Sequence, residues 1–110
     1  MKTFGHVMRE ARKKAGLTQK EVAGRHKRED GRLVDPPYLN SLEHDRRYPP
    51  PNDLIQQLAK IIGISADVLY FYANRLPADV KREAEHREVE AAYEPFRKAL
   101  GSKKPMKREK

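Results

Sequence analysis

Apolar positions recur at helical spacing, and no segment shows the alternation of a half-buried strand. Phe4, Val7, Met8, Ala11 and Ala15 line one stripe of a first helix, and Arg9, Glu10, Lys13 and Lys14 line the other. Gly16 stops it. Thr18-Gln19-Lys20-Glu21 then has capping-box spacing, with Thr18 as cap and Glu21 reaching back. A second short helix is expected from Gln19 to about Ala23 or Arg25, burying Val22 and Ala23. Residues 24–34, GRHKREDGRLV, break the pattern. Asp30-Gly31 is a tight-turn signal flanked by Arg28 and Arg32, and a loop is favoured over a small basic hairpin because the flanks lack alternation. Further on, Leu54, Ile55, Leu58, Ala59 and Ile62 form a wide apolar face stopped by Gly63. Ile64 anchors, Ser65 caps, and Val68, Leu69 and Phe71 are expected to face inward on a fifth helix to about Asn74. Pro77 marks the next boundary.

Between the second helix and that apolar face lies DPPYLNSLEHDRRYPP, Asp35 to Pro50, whose closing prolines continue at Pro51. Asp35 can accept from free N–H groups of a first turn, and Pro36 suits the first helical position, where no hydrogen bond is lost. With two prolines in that turn, the N–H of Tyr38 is the earliest that Asp35 can bond. Leu39 and Leu42 fall on one face, and Pro37, Asn40, Ser41 and His44 on the other. Pro49, Pro50 and Pro51 forbid continuation. A helix this short needs a scaffold, reached through Leu39 and Leu42, and its outward face is small and polar.

The chain of 110 residues carries 24 Lys+Arg against 16 Asp+Glu, a formal charge of +8 that points to a polyanionic partner. There is no cysteine, so disulfides and thiolate metal sites are excluded. No apolar run approaches a membrane span, and the start lacks the apolar core of a signal peptide, so a cytoplasmic setting, the prokaryotic cytoplasm or nucleoid, is expected. Three parts follow: residues 1–76 as one helical domain, 77–100 as a helical extension, and 101–110 as a flexible basic tail. Within 78–100 there are five Lys+Arg and six Asp+Glu, so this piece is nearly neutral. Val89, Ala92, Tyr93, Phe96 and Leu100 form an amphipathic stripe there, and Pro95 implies a kink or a new helix. The stripe is a candidate dimer interface, with Tyr70 and Tyr72 as seats, or it folds back on its own domain.

Several pieces in register carry a family resemblance: Gly16-Leu17-Thr18-Gln19 with Val22-Ala23, Tyr38-Leu39 with Leu42-Glu43, Arg46-Arg47 with Pro49, and Leu54, Leu58-Ala59 and Gly63-Ile64. Residues 3–76, about two-thirds of the chain, resemble the helix-turn-helix domain of the XRE family, the Cro and lambda-repressor-like regulators. The resemblance implies an all-α fold: a five-helix domain with an extended loop between helices two and three, plus the helical extension. Two departures stand out. The join between helices two and three is several residues longer than the family's tight turn, and His44-Asp45 replaces a frequent Asn-Gly. Asp tolerates the left-handed position that such a cap needs.

By the same resemblance, the third helix enters the major groove of double-stranded DNA. Pro36, Pro37, Asn40 and Ser41 become the base-facing positions, matching the outward face derived from spacing. Asn40 can pair with adenine and Ser41 can serve several bases, whereas the prolines offer no donor. Gln19, Lys20, Arg46, Arg47 and Tyr48 are expected at phosphates, and Arg28 and Arg32 on the insertion join them as candidates. Arg12 is expected to form an ion pair with Glu43. The implied activity is sequence-specific regulation of transcription, with repression as the expected sense, by a homodimer with no enzymatic activity and no cofactor or metal.

The rival reading is an antitoxin-like regulator that binds its own promoter and captures a protein partner through residues 78–110. An enzyme is disfavoured, since His6, His26, His44 and His86 are scattered without ligand spacing and no nucleophile–base arrangement stands out. A membrane-surface role for the tail lacks an apolar anchor.

Overall fold

The computed structural model describes residues 2–25, 35–80 and 83–101, and it is helical throughout its regular elements. The Asp30-Gly31 turn, Arg28, Arg32 and the tail beyond residue 101 lie outside the described residues. The chain divides into two compact units, Met1–Ala78 and Asp79–Lys110.

Among the described residues the first unit holds five helices, and local chemistry sets their ends. α1, Phe4–Lys14, starts at Thr3, whose hydroxyl accepts from the His6 N–H. It stops at Gly16, with φ of 74°. There the Leu17 N–H bonds the Arg12 carbonyl and the Gly16 N–H bonds the Lys13 carbonyl, the two bonds of a Schellman ending. α2, Gln19–Gly24, carries the reciprocal box: the Thr18 hydroxyl accepts from the Glu21 N–H, and the Glu21 carboxylate accepts from the Thr18 N–H, each at 3.0 Å. These bonds to Thr18 favour the ionised carboxylate and lower the Glu21 pKa below its usual value. α3, Pro36–Glu43, begins with the Tyr38 N–H donating to Asp35 Oδ1 at 2.9 Å. It ends in a second Schellman pair, Arg46 N–H to the Ser41 carbonyl and Asp45 N–H to the Leu42 carbonyl. Asp45 takes the left-handed conformation there, with φ of 56°. α4, Asn52–Ile62, ends at Gly63, and α5, Ala66–Tyr72, is capped by Ser65.

α1 packs on α3 and α5, α2 on α3 and α4, and α4 on α5. The core gathers the expected face of α4 and Phe4, Val7 and Met8 of the α1 stripe, with Ala11 packed against it, joined by Val22, Leu39, Leu42 and Leu69; Ala15, expected on the same stripe, is exposed at the helix end. Two inward positions of the fifth helix need correction: Val68 is 37% and Phe71 is 48% exposed, while Tyr70 is 2% exposed. The helix is turned so that Leu69 and Tyr70 fill the core, and the Tyr70 hydroxyl finds polar partners in Gln56 and the Asn52 carbonyl. Tyr70 therefore belongs to the interior and is no seat for a second chain.

One close approach fixes how α1 meets α3. A Cβ on Gly5 would lie 2.6 Å from the Glu43 carbonyl oxygen and 2.7 Å from Asp45 Oδ1, and closer still to the Leu42 carbonyl oxygen. Asp45 exploits the gap: Oδ1 accepts from the Gly5 N–H at 3.0 Å, and Oδ2 accepts from the Thr3 hydroxyl at 2.5 Å. The side chain that ends α3 thus satisfies a free donor at the start of α1.

The second unit is described by one helix, α6, His86–Ala99. Pro95 lies inside it, so of the two readings, a kink or a new helix, the new helix is excluded. Its first turn is tied by the Glu85 N–H donating to Glu88.

Gly5→Ala separates packing from propensity. Propensity alone would favour alanine in a helix by up to about 1 kcal/mol, whereas overpacking against backbone costs roughly 1–3 kcal/mol. Thermal denaturation should show a transition lowered by several degrees; a raised transition would mean that α1 and α3 can separate freely.

Candidate nucleic-acid interface

α3 is seated by Leu39 and Leu42, each 1% exposed, so its opposite side must face outward. Pro36, Pro37 and His44 are exposed there, and Asn40 and Ser41 are half-buried. Neither polar side chain is lost in the core. Around them Lys20, Arg46 and Arg47 are exposed, and Tyr48 is 94% exposed. The Arg47 guanidinium sits 5.5 Å from the centroid of the Tyr38 ring, a cation–π contact that ties the segment after α3 to the helix.

The acids near this face are engaged by donors of the protein, Glu43 in the interior and Asp45 at the surface. Glu43 accepts from Arg12 Nε at 2.6 Å and from Arg12 Nη2 at 2.9 Å, a two-pronged pair. Arg12 also donates to the Leu17 carbonyl at 2.9 Å, so a single guanidinium ties the α1–α2 turn to the end of α3. Its hydrogen bonds to Glu43 raise the Arg12 pKa above the ordinary value, outweighing the burial that opposes the charge. Asp45 is spent on Thr3 and Gly5. Among the described residues from Asp35 to Tyr48, the exposed acids Asp35 and Asp45 each accept from donors of the protein, and Arg46 and Arg47 are exposed beside them.

Gln19 is placed differently from its sequence expectation at a phosphate. Its side-chain NH2 donates to Asn40 Oδ1 at 3.2 Å and to Glu43 Oε1 at 3.1 Å, so both hydrogens are committed inside the fold. Arg12, Glu43, Gln19 and Asn40 form one chain of bonds across three helices. The insertion residues Arg28 and Arg32 lie outside the described residues.

Sequence reasoning missed Arg75. Its guanidinium donates to the Pro49 carbonyl at 2.8 Å, to the Pro50 carbonyl, and to Asn52 Oδ1 at 3.4 Å. Pro50 is buried, and a proline run supplies carbonyls without N–H groups, so an outside donor is required. The proline run signalled that need, but nothing near Arg75 identified the donor.

A short helix braced by a second across a turn, with an open polar face and cations beside it, defines a helix-turn-helix DNA-binding domain. The family model described as helix-turn-helix matches residues 8–69, more than half of the chain, and the chain belongs to the XRE-type helix-turn-helix family of DNA-binding regulators. No curated protein and no solved structure matches it. No helix among the described residues is long and apolar enough to cross a membrane.

Arg12→Ala would leave Glu43, 5% exposed, without its main partner. Removing one member of a buried pair costs roughly 3–5 kcal/mol, so urea denaturation should show a loss of at least about 2 kcal/mol. An unchanged midpoint would remove the pair from any account of stability.

Proposed function

We propose that the protein is a sequence-specific, double-stranded-DNA-binding repressor of transcription that reads the major groove with α3. One observation carries this reading: Asn40 and Ser41 stand half-buried on the outward face beside exposed Lys20, Arg46, Arg47 and Tyr48, while Glu43 is tied inside and Asp45 is held by Thr3 and Gly5. Pro36 and Pro37 lead into the groove and touch thymine methyls or fill space. Lys20, Arg46, Arg47 and Tyr48 hold phosphates and set the register, and Asn40 and Ser41 contact bases. Bound across a promoter, the domain represses by occupying it, in a prokaryotic cytoplasm or nucleoid.

The working form is a homodimer joined through α6. Val89, Tyr93, Phe96 and Leu100 are 41%, 42%, 44% and 58% exposed, and Ala92 is exposed beside them. Glu85, Glu88 and Glu90 cluster at the start of the helix, and Arg97 and Lys98 at its end. An antiparallel pair of copies brings acidic starts against basic ends while covering the apolar stripe, and a dimer supplies two α3 helices for half-sites of the family's usual spacing, roughly 34 Å.

Two measurements test this. Binding of the full chain to genomic duplex fragments should be selective and should weaken with salt at a slope of roughly −0.9 per neutralised phosphate, about −2.7 per protomer for Lys20, Arg46 and Arg47. Arg47→Ala should flatten that slope by about 0.9, and Asn40→Ala should erase roughly 1–3 kcal/mol of discrimination. Salt-sensitive binding without selectivity would reduce the role to general DNA coating. Sedimentation equilibrium should show a dimer that Tyr93→Glu splits into monomers; a dimer that survives the substitution excludes the stripe. A stable foreign protein bound at α6 instead would favour the antitoxin-like role.

A further inference from the structure

Resting on the proposal that Arg46, Arg47 and Tyr48 hold phosphates, we infer that Arg75 is a positioning residue for that grip: from the end of α5 it fixes the backbone that carries the three side chains. Pro49, Pro50 and Pro51 have no N–H, yet their carbonyls still need donors. α4 serves Pro51, whose carbonyl accepts from the Ile55 N–H at 3.0 Å. The other two are served by one guanidinium: Arg75 Nη2 donates to the Pro49 carbonyl at 2.8 Å, and Nη1 donates to the Pro50 carbonyl. Pro50 is buried and Arg75 half-buried, so this contact sits against the fold and not in open solvent. The end of α5 places the side chain. Asn74 is left-handed, with φ of 58°, the Arg75 N–H bonds the Tyr70 carbonyl at 2.9 Å, and the Asn74 N–H bonds the Phe71 carbonyl at 3.0 Å, a third Schellman ending. Tyr70 is itself buried, with its hydroxyl on the Asn52 carbonyl, so the guanidinium is held from the core.

Only Arg46, Arg47 and Tyr48 lie between Asp45, tied to Thr3 and Gly5, and Pro49, gripped by Arg75. Tyr48 precedes a proline, which confines its backbone to extended conformations. With both ends anchored, little freedom is left to the segment before it meets an anion. Without the Arg75 bonds the far anchor is lost, and the backbone must be ordered when the polyanion binds. Ordering one residue's backbone costs about tenfold in affinity. The two terminal nitrogens of Arg75 serve proline carbonyls, so its part in the grip is to hold the segment and not to meet a phosphate.

The test compares the full-length protein with Arg75→Ala, Arg75→Lys and Arg47→Ala on one duplex retained from genomic fragments, across salt and well below each thermal transition. Both Arg75 variants should bind on the order of tenfold more weakly, with the salt slope unchanged because Lys20, Arg46 and Arg47 still neutralise their phosphates. Arg75→Lys keeps the charge but loses the planar fork that spans two carbonyls, so it separates the grip from the field of the cation. Amide heteronuclear NOEs of Arg46, Arg47 and Tyr48 should fall in both variants while those of α1 hold. A lowered thermal transition with affinity intact overturns the inference and leaves Arg75 a stabilising contact alone. Full affinity in Arg75→Lys overturns it, as do unchanged NOEs in the segment. A slope flattened by about 0.9 in Arg75→Ala overturns it too, since Arg75 then meets a phosphate itself. Should Arg75→Ala fail to fold, Arg75→Lys decides alone. If Arg47→Ala leaves the slope unchanged, the phosphate role of the segment fails and the inference with it; a slope that answers to Arg47 beside an affinity indifferent to Arg75 overturns the inference alone.

Discussion

Glu43 is a charged side chain with 5% of its surface exposed, and burial at that depth is tolerated only when the oxygens are fully engaged. Two donors come from Arg12 on α1 and a third from Gln19 on α2, so the carboxylate at the end of α3 is the point where all three helices meet. A buried pair of this kind adds little stability over a well-packed apolar replacement. Its value lies in direction. A hydrophobic contact between α1 and α3 would tolerate small rotations, whereas a two-pronged guanidinium–carboxylate contact holds one geometry. The side of α3 that faces solvent is set accordingly.

The short α3 is then secured at its far end by two further arrangements. Asp45 adopts the left-handed turn, and its carboxylate enters the space above Gly5, where any side chain would strike backbone. An Asn-Gly pair at this turn would supply the same backbone conformation without the carboxylate link to Thr3 and Gly5. Beyond it, Arg75 grips the carbonyls of Pro49 and Pro50. The segment bearing Arg46, Arg47 and Tyr48 is therefore anchored on both sides, by Asp45 before it and by the prolines after it. Long exposed side chains meet a rigid polyanion at lower entropic cost when the backbone beneath them is already ordered.

Charge is distributed unevenly as a result. Among the described residues, Asp35, Glu43 and Asp45 each accept from donors of the protein itself, while Lys20, Arg46 and Arg47 beside α3 are exposed. α6 follows a different logic: its two ends carry opposite signs and its apolar stripe is exposed. Such a helix is suited to pairing with a complementary helix.

Caps, stops and apolar stripes could be read in advance because each depends on neighbours within a few residues. The Thr18 box, the bond from the Tyr38 N–H to Asp35, the Gly16 and Gly63 stops and the face of α4 are all of this kind. The outward side of α3 was legible for the same reason, since Leu39 and Leu42 could only point one way. The pairing of Arg12 with Glu43 was suggested by family resemblance, which carries tertiary information that spacing lacks. The rest joins residues far apart in the chain. Gly5 to Asp45, Gln19 to Asn40 and Arg75 to Pro49 span 40, 21 and 26 residues. The rotation that brought Tyr70 into the core in place of Phe71 also depended on how α5 lies against α1 and α4. A helix pattern specifies which side is apolar to within a residue or so, but the depth and rotation of packing are settled by the neighbouring helices, and those decide where an amide, a guanidinium or a missing Cβ finds its partner.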